Sequence, residues 1–457
     1  MSDNSIPQKK IFIASFVTLI AAGVGFAVRG GILGQWSSLY GFTQTDLGTI
    51  TGGGLVGFGA VILFASLITD NIGYKKILVI AFILHALSAA VTLAAGPVYA
   101  AMGTGATYWV LYIGMFMFAV ANGLCEAVIN PLTANLYPEK KTHYLNILHA
   151  GWPGGLILGG LIISAMGSMH WTIPMGLFLI PTVIYGFMVI TSNFPDSDVK
   201  KAGISFDVML KSALSPVFLF LLVLHACIGY VELGTDSWIQ SITNTISEGQ
   251  GPMLFIYASA IMFILRFFAG PIVEKINPLG LLTVSSILGC VGLLLLGTVE
   301  SAALVWVSVT VYGLGKTFLW PTMLGVVGER FPKGGALTMG LIGGVGMLSA
   351  GFLGTPGIGY KQDYFASQKL EELSKDAVTR YQSAEEKGIN GLPFIAKIRG
   401  LDGSKVGLLL DSDPENEANK ARETLEADVK TIQQKQADKV EIGKGEEGTL
   451  ALSKWWA

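Results

Sequence analysis

Three polar side chains interrupt an apolar stretch of the chain at regular spacing. Asn122, Glu126 and Asn130 lie four residues apart, so they share one face of a helix. A carboxylate at membrane depth costs about 2.5–3.5 kcal/mol on insertion scales, so it needs a partner, a water-filled cavity or a proton. A polar stripe on an apolar helix faces other helices rather than lipid. We therefore predict that Glu126 faces the interior of a helix bundle.

The stretch around Glu126 is repeated 190 residues later with the charge inverted. The first copy reads G-L-C-E-A-V-I-N-P from Gly123, and the second reads G-L-G-K-T-F-L-W-P from Gly313. Lys316 therefore matches Glu126, and the two prolines align without a gap. Internal repeats with charged residues near the middle of the membrane are typical of secondary transporters.

The composition sets the class of protein. The 457 residues are 51% hydrophobic and 14% charged, whereas soluble domains carry about 25% charged residues. We therefore predict an all-α polytopic membrane protein whose surroundings are the lipid bilayer. The net charge of -2 gives no reason to expect a nucleic-acid partner. The three cysteines have neither metal-ligand nor C-x-x-C spacing, so we predict no metal and no cofactor.

Runs of about 20 apolar residues predict eleven membrane spans. They cover residues 11–33, 47–69, 77–101, 108–136, 145–166, 172–191, 216–242, 253–272, 279–299, 304–327 and 336–353. The repeat favours two six-helix bundles, so a twelfth span is missing or lies beyond the chain end. The predicted domains are an N-terminal bundle (1–191), a linker (192–212), a C-terminal bundle with five visible spans (213–355) and a polar tail or insert (356–457). Within this tail, segments 368–387 and 415–440 have helix-prone sequences.

Lysine and arginine are concentrated on alternate loops. They precede the first span and follow the second, fourth, sixth, eighth and tenth, whereas the loops between carry almost none. The positive-inside rule then predicts a cytoplasmic N-terminus in a multi-pass protein of the inner or plasma membrane. The first apolar run lacks a clear cleavage site, so we interpret it as a span rather than a signal peptide.

A second feature recurs at the end of the second span of each half. The first copy is Ser66-x-x-x-Asp70-x-x-Gly73-x-Lys75-Lys76, and the second is Gly270-x-x-x-Glu274-Lys275. A carboxylate and basic residues in a small-residue turn suit a charge latch between neighbouring helices, although a solvated loop would have the same composition. We assign a gating or cytoplasmic-latch role to the six residues Asp70, Gly73, Lys75, Lys76, Arg266 and Glu274.

Six ionisable residues lie within or at the mouth of the spans, and they are Arg29, Glu126, Glu232, Asp236, Arg266 and Lys316. Leaving them unpaired in lipid would be too costly, so they must face one another or water. The repeat predicts that Arg29 pairs with Glu126, and that Glu232 or Asp236 pairs with Lys316. These pairs either hold helices in register or line a solute cavity. In the second case Glu126 and Glu232 are the predicted proton-coupling residues, provided that Arg29 does not stay bound to Glu126.

Amides, aromatic rings and charged groups near the middle of the spans suit a small polar solute. Neutral polyols are held by amide hydrogen bonds and by packing on rings. The predicted solute-binding residues are Arg29, Asn122, Asn130, Asn146, His149, Trp238, Tyr312, Lys316 and Trp320.

Several stretches resemble one known family. They are E-A-V-I-N-P in span four, L-N-I-L-H-A-G-W-P-G-G in span five, G-Y-V-E-L-G-T-D-S-W in span seven, R-F-F-A-G-P-I-V-E-K-I-N-P in span eight and W-P-T-M in span ten. Together they resemble the fucose–proton symporter family of the major facilitator superfamily.

The resemblance implies twelve helices, alternating access and proton-driven sugar uptake. It also implies a proton-linked cavity carboxylate at Glu126 and cavity polar positions at Asn130 and His149. The chain departs from this family at two positions: Arg29 stands where an acid is usual, and His149 where an amide is usual.

We therefore expect a secondary transporter, monomeric, that moves a small polar solute, a sugar, together with protons. The alternatives are an organic-anion carrier with Arg29, Arg266 and Lys316 as a carboxylate clamp, or a sensor that binds solute without moving it. We do not expect an enzyme, because neither H-E-x-x-H nor G-x-S-x-G occurs.

Overall fold

The chain folds into a series of helices in a computed structural model. The structure describes residues 7–40, 42, 44–166, 169–247, 250–299, 301–373, 386, 395–400, 429–438, 440 and 443. The N-terminal half contains α1 (Gln8–Gly31), α2 (Leu33–Tyr40), α3 (Gln44–Ile72), α4 (Tyr74–Leu93), α5 (Ala95–Leu136), α6 (Lys141–Met166), α7 (Thr172–Leu177) and α8 (Leu179–Ile190). Two short helices follow in the predicted linker, α9 (Asp198–Lys201) and α10 (Phe206–Ala213). The C-terminal half contains α11 (Pro216–Gly229), α12 (Thr235–Ser247), α13 (Gly251–Arg266), α14 (Ala269–Thr298), α15 (Ala302–Lys316), α16 (Leu319–Arg330), α17 (Gly335–Ser349) and α18 (Thr355–Leu373).

Within the described residues, ten helical segments are long and apolar enough to cross a membrane, and α13 is a shorter apolar helix of 16 residues. The predicted eighth span, 253–272, corresponds to α13 and the first turns of α14. It is divided after Arg266 instead of forming one helix. The sharp turn towards the ninth span comes later, at Asn277, whose φ of 54° precedes Pro278. A proline disfavours helical geometry in the residue before it, so the chain turns there.

The seventh and eleventh membrane helices each contain a π-helical turn. Residues 230–234 form one such turn between α11 and α12, and residues 350–354 form the other between α17 and α18. The two turns pack against each other, and a Cβ atom on Gly234 would lie 2.7 Å from the Cα atom of Gly354. Glycine at both positions therefore allows the backbones to touch.

The eleventh membrane helix extends beyond its predicted end at residue 353. After the π-helical turn, α18 runs to Leu373, so the first part of the predicted polar tail is helical. Of the helix-prone tail segments 368–387 and 415–440, most residues lie outside the described part of the chain.

The two halves pack along matching helices. Within the N-terminal half, α1 packs on α6 and α8, and α5 packs on α3 and α4. Within the C-terminal half, α11 packs on α17 and α14 packs on α15. Between the halves, α3 lies along α17, and α6 lies along α13 and α16. This arrangement places the polar residues of α5 and the first residues of α16 on opposite sides of the boundary between the two halves.

One end of the molecule carries many of the lysine and arginine residues. We call it the lysine-rich end, and its residues include Lys9, Lys10, Lys75, Lys76, Lys140, Lys141, Lys200, Lys201, Lys275, Arg330 and Lys333. The linker helices α9 and α10 lie near the lysine-rich end. Ser197 caps α9 by accepting a hydrogen bond from the Lys200 N–H, and Ser215 caps α11 by accepting one from the Phe218 N–H.

Candidate functional site

A cavity lies between the two halves near the middle of the helices. Its lining comes from six helices and the first π-helical turn, and consists of Phe58, Glu126, His149, Trp152, Glu232, Leu233, Arg266, Trp320 and Met347. Each half therefore contributes one carboxylate. A cavity with apolar and aromatic walls and a few convergent polar groups is the usual form of a small-molecule site.

Glu126 reaches this cavity from α5, as its spacing predicts. Its side chain is 8% exposed, and its Oε2 atom accepts a hydrogen bond of 2.7 Å from Nδ2 of Asn130 on the next helical turn. In the described part of the chain, no basic group lies close enough to Glu126 to form an ion pair. The carboxylate is therefore held by a neutral amide.

Asn130 also contacts α6, which forms another part of the cavity wall in the N-terminal half. Its Oδ1 atom lies 2.8 Å from Nε2 of His149 on α6. Because the amide nitrogen donates to Glu126, the amide oxygen must accept, and this assigns the proton of the imidazole to Nε2. The three side chains form one chain of hydrogen bonds that ends at the cavity.

Glu232 has a different environment. It is 3% exposed, and its Oε1 atom accepts a hydrogen bond of 3.1 Å from Nη2 of Arg266. Its Oε2 atom accepts from the backbone N–H of Trp320 at 3.2 Å, in the first turn of α16. A carboxylate at a helix N-terminus is favoured by the orphan N–H groups there. The two carboxylates of the cavity therefore differ, because Glu232 is in an ion pair and Glu126 is not.

Arg266 lies in the cavity and not at the lysine-rich end, which corrects its predicted place in the latch. It is 2% exposed and uses all three nitrogens. Besides Glu232, it donates to the backbone oxygen of Thr317 at 2.7 Å and to that of His149 at 2.6 Å. The break between α13 and α14 ends the helix at this residue, so the guanidinium can reach across to α6.

The predicted pair of Arg29 and Glu126 is not formed. Arg29 is 1% exposed and donates to Oγ of Ser88 at 3.0 Å and to the Gly25 carbonyl at 3.3 Å. Its Cζ atom lies 3.9 Å from the ring centre of Phe118 and 4.7 Å from that of Phe178. Cation–π contacts and hydrogen bonds thus take the place of the expected carboxylate.

The second predicted pair is formed by Asp236 and not by Glu232. Lys316 donates to Oδ1 of Asp236 and lies over the ring of Tyr312, 5.2 Å from its centre. The hydroxyl of Tyr312 donates to the carbonyl of Val231 at 2.8 Å. Lys316 is 1% exposed, so this cluster is part of the packing of the C-terminal half.

The remaining predicted solute-binding residues separate into two groups. His149 and Trp320 line the cavity, and Asn130 lies directly behind it. Arg29, Asn122, Asn146, Trp238, Tyr312 and Lys316 are not among its lining residues. Oδ1 of Asn122 accepts a hydrogen bond from Nε2 of His85 at 3.0 Å. Asn146 donates to Thr322 at 3.1 Å, and Trp238 donates to the Thr355 carbonyl at 2.9 Å.

The lysine-rich end is closed by hydrogen bonds between the halves. Oδ2 of Asp70 accepts from the backbone N–H of Ala336 at 3.1 Å, at the start of α17. Lys141 donates to the Gly328 carbonyl at 3.0 Å, and Thr142 donates to Glu329 at 2.6 Å. These bonds join α3 and α6 to the helices on the other side of the boundary.

The charge latch expected at this end takes another form. Asp70 binds a helix N-terminus instead of the nearby Lys75 or Lys76. Gly73 has a φ of 92° and makes the turn between α3 and α4. Glu274, its predicted counterpart, is exposed and has no ion pair among the described residues.

Three apolar lining residues were not identified from the sequence. Phe58, Leu233 and Met347 stand in apolar or glycine-rich stretches, where no polar signal distinguishes a cavity wall from ordinary packing. Leu233 is adjacent to Glu232 in the π-helical turn, and that turn could not be predicted from spacing.

Curated relatives match part of the chain, among them one from Arabidopsis thaliana and one from Escherichia coli. The D-xylose-proton symporter-like 2 protein of Arabidopsis thaliana is 26% identical over 187 residues, which is 37% of this chain and 36% of the relative. The class E tetracycline resistance protein of Escherichia coli is 28% identical over 137 residues, 29% of this chain and 30% of that protein. The chain thus matches about a third of the length of each.

Solved structures match the fold over most of the chain. The transporter FucP in its outward conformation has a TM-score of 0.64 at 17% identity, covering 78% of this chain and 92% of FucP. The proton:xylose symporter XylE has a TM-score of 0.65 at 13% identity, covering 79% of this chain and 90% of XylE. At these identities the likeness establishes the fold.

The family profile of the Major Facilitator Superfamily matches residues 11–355. This range contains the eleven predicted spans, and it confirms the family resemblance and the all-α polytopic fold expected from the sequence. The chain is therefore a multi-pass membrane protein that belongs to the Major Facilitator Superfamily.

Proposed function

We propose that the chain is a secondary transporter that moves a small neutral polar solute, a sugar, together with protons by alternating access. The observation that carries this proposal is the contrast between the two cavity carboxylates. Glu126 lines the cavity with a neutral amide as its partner, whereas Glu232 is bound to Arg266. A carboxylate without a fixed cation can gain and lose a proton during a transport cycle, because no ion pair has to be broken first.

The lining of the cavity supports a neutral solute. His149 and Glu126 offer hydrogen bonds, and Trp152 and Trp320 offer ring faces, which together suit a polyhydroxylated molecule. The relatives and structures named as xylose–proton symporters agree with this solute class. The tetracycline resistance relative has another kind of compound in its name, so the uptake experiment has to compare several classes of solute.

The closed end supports an orientation for this state. By the positive-inside rule, the lysine-rich end faces the cytoplasm. The hydrogen bonds of Asp70, Lys141 and Thr142 then close the cytoplasmic side. We propose that this state precedes opening towards the cytoplasm, and that the N-terminus is cytoplasmic.

An organic-anion carrier is the second candidate, and the presence of Arg266 in the cavity favours it. Its guanidinium could bind a carboxylate in a fork geometry. However, its three nitrogens already bind Glu232 and two backbone carbonyls. The other two cations of the proposed clamp, Arg29 and Lys316, do not line the cavity. A neutral solute therefore fits this arrangement better than an anion.

The test is solute uptake into proteoliposomes under an imposed pH gradient. A panel of pentoses, hexoses and small carboxylates would be compared for wild type and Glu126→Gln. We expect the wild type to accumulate one sugar above equilibrium. We expect Glu126→Gln to exchange that sugar across the membrane at equilibrium but not to accumulate it, because glutamine keeps the amide contacts and cannot carry a proton.

Glu139→Gln is the matched control, because it removes an exposed carboxylate that does not line the cavity. It should accumulate sugar like the wild type. Uptake of carboxylates alone would support the anion carrier. Accumulation that survives Glu126→Gln would assign Glu126 a structural role and contradict the proposal.

A further inference from the structure

We infer that Arg266 holds the two halves together at the cavity. It donates a hydrogen bond to a backbone carbonyl of the other half that lacks a donor in its own helix because of a proline. We call this hydrogen bond the tie. This inference rests on the alternating-access cycle proposed above, and it adds a residue and a chemical reason for the step in which the halves separate. Three observations carry it: the geometry of Arg266, the position of two prolines, and the half of the chain from which each partner comes.

The two carbonyls that Arg266 binds share an unusual property. In an α-helix, the carbonyl of one residue accepts from the N–H four residues later. The residue four positions after His149 is Pro153, and the residue four positions after Thr317 is Pro321. Proline has no N–H, so the His149 carbonyl within α6 lacks its helical donor. Thr317 lies in the break between α15 and α16, and it also has no N–H four residues later. Arg266 supplies a donor to both, at 2.6 Å and 2.7 Å.

The partners of Arg266 are distributed unequally between the halves. Thr317 and Glu232 belong to the C-terminal half, as does Arg266 itself, so these contacts fix the guanidinium within its own half. The His149 carbonyl belongs to the N-terminal half. The bond to His149 is therefore the contact of this side chain that must break when the halves move apart at this level.

Breaking that bond leaves a carbonyl that α6 cannot satisfy by itself. An unsatisfied buried acceptor is unfavourable, unless water or a solute hydroxyl takes the place of the lost donor. His149 and Arg266 both line the cavity, so a bound solute could provide this donor. The tie thus makes opening of the lysine-rich end unfavourable while the cavity is empty, and easier once a hydroxylated solute occupies it.

The prolines allow this idea to be tested without changing a charged residue. Pro153→Ala restores an N–H to α6 and gives the His149 carbonyl an internal donor, so the tie is no longer needed. Pro321→Ala likewise restores an N–H four residues after Thr317, which lies in the break between α15 and α16 and whose contact with Arg266 lies within one half. The second variant is therefore the matched control for the first.

Opening can be measured with a cysteine introduced at Ala134. This residue is buried between the halves near the lysine-rich end, together with Gly328 and Met339. In a background without Cys125, Cys227 and Cys290, Ala134→Cys would be labelled with a maleimide in proteoliposomes without solute. We expect Pro153→Ala to raise the labelling rate about fivefold to tenfold, which corresponds to roughly 1–1.4 kcal/mol. Pro321→Ala should leave the rate within about twofold.

Two further results bear on the inference. Arg266→Lys keeps a positive charge beside Glu232 but cannot reach two carbonyls at once, so it should also raise labelling. If Pro153→Ala and Pro321→Ala change labelling equally, or if neither changes it while both elute as monodisperse protein, the tie is refuted. Because labelling is measured without solute, these results do not depend on the sugar. Failure of the uptake experiment would overturn the transport proposal and leave the labelling result interpretable.

Discussion

Nδ2 of Asn130 lies 2.7 Å from Oε2 of Glu126, one helical turn away on α5. The same amide accepts from His149, so a single asparagine sets the positions of two cavity side chains. The arrangement holds a carboxylate in place without neutralising it.

Asn130→Ala should therefore impair transport more than folding. A hydrogen bond to a charged group contributes about 1.5–3 kcal/mol, so we expect uptake efficiency to fall at least tenfold. The measurement is the initial rate of solute uptake across a range of concentrations, with thermal stability in detergent as a check on folding. Asn135→Ala on the same helix is the control, because Asn135 donates to the Asp196 carbonyl in the linker. Equal losses in the two variants would argue against a specific role for Asn130.

The pair of Asp236 and Lys316 should behave as a structural element. Lys316 is 1% exposed, so Asp236→Asn leaves a buried charge and should destabilise the protein by about 3–5 kcal/mol. The side chain of Asp236 is 16% exposed, so Lys316→Met should cost less. The double variant removes both charges, and we expect it to recover most of the lost thermal stability. It should also retain solute uptake, because neither side chain lines the cavity. A stable double variant without uptake would support the original prediction that Lys316 binds the solute.

Arg29 and Arg266 are both deeply buried, but they should respond differently to neutralisation. Arg29 lies between aromatic rings and has no carboxylate partner among the described residues, so Arg29→Met loses two hydrogen bonds but regains part of that loss by avoiding a buried charge. Arg266→Met leaves Glu232 unpaired and should cost about 3–5 kcal/mol. Thermal unfolding of the two variants in detergent gives the comparison. A larger loss for Arg29→Met would show that its environment is more polar than these contacts indicate.

Asp70 should matter through its acceptor atom rather than its charge. Asp70→Ala removes the acceptor for the Ala336 N–H, and losing a helix cap costs about 0.5–2 kcal/mol. We expect faster labelling of Ala134→Cys in this variant, whereas Asp70→Asn, which keeps an oxygen, should resemble the wild type. Replacing Lys75 and Lys76 together by alanine should have little effect. If the lysine variant opens as readily as Asp70→Ala, an electrostatic latch is the better description.

Spacing and repetition in the sequence predicted the parts of the site that lie on regular helices. The four-residue period places Glu126 and Asn130 on one face of α5, and this face does reach the cavity. The eleven apolar runs also correspond to the membrane helices, because hydrophobicity over about 20 residues is a strong signal.

Pairing between charges was harder to predict, because the repeat indicates equivalent helices but not the direction of each side chain. Arg29 satisfies its guanidinium with rings and a hydroxyl, which are too common in an apolar chain to be recognised as partners. The sequence predicted a position in the cytoplasmic latch for Arg266, because the apolar run continues past this residue, whereas the helix ends at it. A break of this kind depends on tertiary contacts, among them the Gly270 N–H that donates to His143 at 3.0 Å.

The paired π-helical turns have a consequence for comparing this chain with others. A turn of this type holds about one residue more than an α-helical turn, and each residue of an α-helix rotates by about 100°. A helical wheel drawn through residues 230–234 therefore changes phase before it reaches Trp238, and one drawn through 350–354 does so before α18. A relative that lacks one of these turns would carry a single-residue gap in its alignment there. Aligned residues that follow the gap lie on the same face of the helix only if the alignment places the gap within the turn.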